Sequence, residues 1–274
     1  MVKDMLGLGG GNSNRYKIAF WCTLFNMLFE YSMRGINNLV RQPVLFPLLF
    51  GIYFTYFLAL EDLIVRFKLG EEHLLAIAFF FGTFYLTFAT GIVFVNPNVM
   101  GVNVISLLFV NVVWWGLLQA ILTFYFANRI TLRNWNHAFM GKLGWALFVV
   151  YQTLTLLTFQ FANPHVPKGS VTGYFTIAII FAASFSLCYF LIKRQKSKPV
   201  KKLTTFKPSL TLDVLAFGSV FLFFILGVFF ISDPVQSGAH QINQFATRVV
   251  IAWSLIVAVV MALYRFVKRS PFSI

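Results

Sequence analysis

The chain is 274 residues long, 59% hydrophobic and only 11% charged, with a mean hydropathy of +0.78. A soluble domain carries about 25% charged residues, so a water-facing globular fold is excluded and an all-α, polytopic membrane bundle is expected. The net charge of +14 arises with no nucleic-acid-binding module beside it, which argues against nucleic acid as a partner.

Residues 1–15 open polar and Gly-rich, "MVKDMLGLGGGNSNR". They read as a flexible retained segment, because they lack the basic start, apolar run and small-residue cleavage site of a signal peptide. Their glycines are not followed by Gly-Lys-Ser/Thr, so no phosphate-cradling loop is implied. The rest, 16–270, reads as one transmembrane helical domain.

The first segment, 16–41, is ambiguous. Thr23, Asn26, Glu30, Arg34, Asn37 and Arg41 follow at steps of three or four and form one polar stripe of a helix. Such a helix can lie in the interface with its apolar face down, or cross with the stripe turned inward. Apolar runs then predict seven spans, at 44–60, 74–95, 102–127, 139–162, 171–192, 211–232 and 245–267. With the first segment the bundle has seven or eight transmembrane helices.

Basic residues orient these spans. The inner loop 193–208 holds Lys193, Arg194, Lys196, Lys198, Lys201, Lys202 and Lys207; Arg129, Arg133 and Lys142 lie in one neighbouring loop, and Arg265, Lys268 and Arg269 in the tail. Near-neutral loops alternate with them, which sets the basic loops and the C-terminus on the cytoplasmic or matrix side. Counting back, a crossing first helix brings Arg15 and Lys17 to the level of Glu61 and Asp62, an electrically sensible meeting that favours eight crossings.

Three outer connections share a grammar: "FVNPNVMG" from Phe94, "FANPHVPKG" from Phe161 and "FISDPVQSG" from Phe230. Pro stops a helix, Asn or Asp before it starts a turn, and a later Gly permits positive φ. They read as turns and not as ligand loops.

Ionisable groups inside a membrane are functional candidates by default. Glu30 with Arg34, and Asp62 with Arg66, are spaced to neutralise each other on a helix; Arg248 lies one turn inside the last span. Deeper uncharged groups are Asn111 and Gln119, flanking Trp114-Trp115, and Gln152, Thr155 and Gln160. A polar pathway would run along Glu30, Arg34, Asn111, Gln119, Gln152, Gln160 and Arg248; the same side chains can instead serve as hydrogen-bonding glue between helices. The lysine-rich loop, with Lys193, Arg194, Lys196, Lys198, Lys201 and Lys202, suits anionic lipid headgroups or an acidic membrane subunit.

Enzyme signatures are absent from the sequence. Cys22 and Cys188 fall inside predicted spans as small apolar fillers, and no paired His, H-E-x-x-H or Cys cluster points to a metal or cofactor. The last span has no Lys for a retinal Schiff base. Asn136, His137 and Lys142 are the best remaining place for inner-face phosphate chemistry. Two functions stay open, a channel or carrier for a small solute or ion and a non-catalytic subunit of a membrane complex, with a lipid-modifying enzyme behind them.

Overall fold

The computed structural model describes residues 13–135, 140–162, 166–196, 206–231 and 242–268. In these residues the helices are α1 (Ser13–Arg34), the short α2 (Asn38–Arg41), α3 (Leu45–Phe67), α4 (Glu71–Thr90), α5 (Val104–Ile130), α6 (Lys142–Ala162), α7 (Val171–Lys196), α8 (Leu210–Phe229) and α9 (Gln244–Lys268). Seven of them, α3 to α9, are long and apolar enough to span a membrane. The fold is therefore an all-α bundle, and the chain is a multi-pass integral membrane protein.

The first helix is not laid on the surface. It packs along α3 and α8 and touches the end of α5 and the start of α9. Two adjoining stripes of it are buried, Ile18, Cys22 and Phe25 on one and Thr23, Asn26 and Glu30 on the next, while Lys17 and Phe20 stay exposed. Its 22 residues cover about 33 Å at 1.5 Å each, enough for a hydrocarbon core of about 30 Å. It runs antiparallel to α3, with Arg15 in the field of Glu61 and Asp62 at one end and Tyr31 beside Phe46 at the other. Its polar stripe is tolerated because the helix backbone absorbs it: Thr23 Oγ1 donates to the Ala19 carbonyl at 2.7 Å and Asn26 Nδ2 to the Cys22 carbonyl at 2.9 Å.

Several boundaries differ from the sequence reading, three of them with a local cause. The helix begins at Ser13, so Arg15 belongs to it and not to a flexible leader. α3 runs on to Phe67, seven residues past the expected stop at 60, because its charges find partners that let the helix continue. α4 begins at Glu71, since Lys68 (φ 54°) turns the chain and Gly70 caps the new helix.

The core is made by α1, α3, α4 and α5, with α4 wedged between α5 and α7. Burial falls outward, from 61% of the α3 span to 11% of the α7 span. The first outer turn confirms the grammar read from "FVNPNVMG". Val99 and Val102 bridge across it, Gly101 sits at φ +76°, and Asn103 Oδ1 accepts the Ser106 N–H at 2.9 Å to start α5. Its neighbour packs on it: a Cβ on Gly101 would stand 2.7 Å from Gly173 Cα, and one on Gly169 2.6 Å from the Phe94 ring. The Asn-Pro of the second copy and the Asp-Pro of the third lie outside the described residues.

Candidate functional site

Glu30 is the centre of the interior polar cluster. Its Oε2 accepts from Arg34 Nε at 3.3 Å, one helical turn on, and its Oε1 accepts the Tyr53 hydroxyl of α3 at 2.6 Å. Gln119 of α5 lies beside that hydroxyl. Tyr85 of α4 lies close enough to feel the charges of both Glu30 and Arg34. Four core helices thus contribute to one buried group, with the Glu30 and Arg34 side chains only 11% and 16% exposed. An ion pair in this setting holds two charges that neither lipid nor bulk water solvates.

Beside the cluster Trp115 stands in a box of Tyr53, Tyr56, Phe81 and Tyr85, with ring centroids 6.0, 5.4, 5.3 and 5.0 Å away. The backbone that carries it is π-helical over Phe109–Leu122, 14 residues, and α4 ends in a second π-helical stretch, Leu86–Thr90. Most π-helix occurs as single turns, often at functional sites. Here it has a geometric effect. Asn111, Trp115, Gln119 and Thr123 recur at steps of four and are all buried. On an α-helix such a series creeps around the surface by about 40° per step; i→i+5 turns are wider and slow that creep, so the stripe stays inward.

Other sequence candidates form separate links. Asn111 Nδ2 donates to Thr83 Oγ1 of α4 at 2.7 Å, and Gln152 Nε2 donates to the Ile52 carbonyl and Thr55 Oγ1 of α3, both at 2.9 Å. Gln160 Nε2 meets the Tyr174 hydroxyl of α7 at 3.4 Å. Each is a crosslink between helices, yet Asn111 Oδ1, Gln152 Oε1, Gln160 Oε1 and the Tyr56 hydroxyl are buried without a hydrogen-bond partner among the described residues. Arg248 is exposed on α9 and is not brought to Glu30. Of the seven proposed pathway residues, then, only Glu30, Arg34 and Gln119 share one site.

A second charged assembly closes the basic end. Glu61 receives Arg133 Nε at 2.9 Å on both oxygens, and Arg133 lies over the Phe124 and Trp135 rings. Asp62 accepts from Arg66, from the Met140 backbone N–H at 2.9 Å and from Trp145 Nε1 at 3.2 Å. Lys68 Nζ donates to the Trp135 carbonyl at 2.7 Å; burial, and behind it the Arg15 charge, hold its ammonium below the ordinary lysine value. The expected meeting of Arg15 with Glu61 and Asp62 occurs at the level of charge fields, while Arg15 Nη2 itself reaches the Asn134 carbonyl at 3.2 Å.

Lys193 and Arg194 are exposed on the last turn of α7, which closes at Lys196. Lys198, Lys201, Lys202, Asn136 and His137 lie outside the described residues. No cluster of metal-ligating side chains occurs among the described residues. Tyr53, Tyr85 and Thr83 escaped the sequence reading, since a hydroxyl on an apolar helix gives no pattern of its own. Compared with protein-family models, curated proteins and solved structures, the chain matches none.

Proposed function

We propose that the chain is a membrane carrier for a small polar solute or ion, held here with its interior closed. The observation that carries this reading is the buried Glu30–Arg34 pair, assembled by four helices and flanked by two π-helical stretches. Carriers line the interior of the bundle with ionisable groups and irregular helix. The unpartnered oxygens of Asn111 and Gln152 leave further acceptors for a solute that enters as the helices part. In this reading the lysines after α7 rest on anionic headgroups, with the C-terminus on the cytoplasmic or matrix side.

The test uses a single cysteine at Gln119 in a chain with Cys22→Ala and Cys188→Ala, reconstituted in vesicles. A carrier hydrates this position in turn from each side, so a small membrane-impermeant thiol reagent applied to either face should label it, and Glu30→Gln should change the rate. Absence of labelling from both faces sinks the carrier.

One observation favours a second reading, a subunit of a larger complex. α7 turns Phe175, Phe185, Tyr189 and Phe190 outward and is covered mainly by α4. A neighbouring membrane protein seated on that face would copurify with the chain in mild detergent and be lost on Phe185→Ala with Phe190→Ala.

A further inference from the structure

We infer that the outer half of the bundle carries a lipid site between α1 and α8, which holds one acyl chain of an ester-linked glycerophospholipid and binds its ester carbonyl through Tyr31. A groove of about 190 Å³ opens there, with Leu24, Leu28, Phe46, Phe223 and Phe224 around Tyr31. Every one of these neighbours is hydrocarbon. The Tyr31 hydroxyl is the exception: the residue is 8% exposed, and its oxygen is buried with no hydrogen-bond partner. A buried phenol in an apolar setting normally finds a partner, and none of the described residues supplies one here.

Depth and chemistry select the occupant. Tyr31 precedes the last residue of α1, Arg34, by three positions, or about 4.5 Å of helix rise. That sets the hydroxyl just below the headgroup level, where a phospholipid's ester carbonyls lie. A carbonyl ester only accepts, which complements a phenol donor with no acceptor in reach. From Tyr31 to Leu24 the groove follows α1 for about 10 Å, an apolar track for the chain below the ester. At the rim the two backbones close together and fix its width: a Cβ on Gly227 of α8 would stand 3.1 Å from the Tyr31 carbonyl oxygen, and the Ile36 N–H donates to the Gly227 carbonyl at 2.8 Å. This site stands independently of the carrier reading.

The test is lipid binding to the purified, delipidated chain in detergent, followed by native mass spectrometry with dioleoylphosphatidylcholine and its ether-linked dialkyl counterpart as probes. One ester lipid should bind per chain, about fivefold more tightly than the ether lipid, the difference one hydrogen bond makes. Tyr31→Phe should erase that preference, and Leu28→Trp, which fills the groove, should abolish the bound lipid. Equal affinity of the wild-type chain for the two lipids overturns the inference, even if a variant fails to fold. So does an unchanged ester preference in Tyr31→Phe, or unchanged binding in Leu28→Trp.

Discussion

Arg133 and Glu61 have side chains 2% and 0% exposed and meet at 2.8 Å. Removing one partner leaves the other charged and dry, so Arg133→Ala should lower stability by about 3–5 kcal/mol. Replacing both, Glu61→Leu with Arg133→Met, should recover most of that loss, because the pair's own desolvation disappears with it. Thermal unfolding in detergent measures both; a wild-type midpoint for Arg133→Ala would contradict the buried pairing. Glu30 obeys the same rule with a twist. Gln at position 30 still offers Tyr53 an acceptor but no longer neutralises Arg34, so Glu30→Gln should be less stable than Glu30→Gln with Arg34→Gln. A coupling of about 1–3 kcal/mol in the corresponding double-mutant cycle is expected; additive effects would place the two side chains apart. The stripe from Thr23 to Arg41 made this pair legible from spacing alone. Its partner Tyr53 was not, because one hydroxyl among thirty-five Phe and ten Tyr carries no spacing signal.

At the scale of the helix, close approach is the recurring device. A Cβ on Gly116 of α5 would stand 2.7 Å from Leu75 Cδ2, so Gly116→Val should overpack the α4–α5 contact and cost about 1–3 kcal/mol. Gly101 is more restrictive, since it combines φ +76° with backbone of α7 at 2.7 Å. Gly101→Ala should therefore lower the unfolding midpoint more than Gly169→Ala, whose added Cβ meets a Phe94 ring that can rotate away. A larger loss from Gly169→Ala would mean that the outer turn is held by the ring and not by its backbone. The turn itself was readable from Asn, Pro and Gly. The π-helix was not: a hydropathy window counts apolar residues without asking how many complete a turn, and "VVWWGLL" between Asn111 and Gln119 reads as ordinary apolar span. Its consequence is visible in adjacent tryptophans, with Trp115 in the aromatic box while Trp114 Nε1 reaches Ser254 Oγ of α9 at 3.1 Å.

The whole molecule is organised around a helix that hydropathy alone passes over. Seven helices satisfy length and apolarity, and α1 does not; burial of Thr23, Asn26 and Glu30 among the other helices gives it an interior place. Cations at the ends of α3 and α9 find partners at one end of the bundle: Arg66 with the Met140 carbonyl, Lys68, just after α3, with that of Trp135, and Arg265 with Glu71 of α4. The Pro-containing turn after α4 lies at the other end, as the alternation of basic and neutral loops requires. The gathering of the basic ends at one end of the bundle was legible in the sequence, since it depends on which loops are basic and not on side-chain geometry. The sidedness of α1 decides whether Glu30 lies inside a membrane bundle at all. Single cysteines at Lys17 and Arg41, both exposed and near opposite ends of the first segment, report it directly in oriented vesicles lacking Cys22 and Cys188. An impermeant thiol reagent should reach Lys17→Cys only from the face that also exposes Lys193→Cys, and Arg41→Cys only from the opposite face. If both react from one face, α1 does not cross, and the interior charge cluster is not where it has been placed.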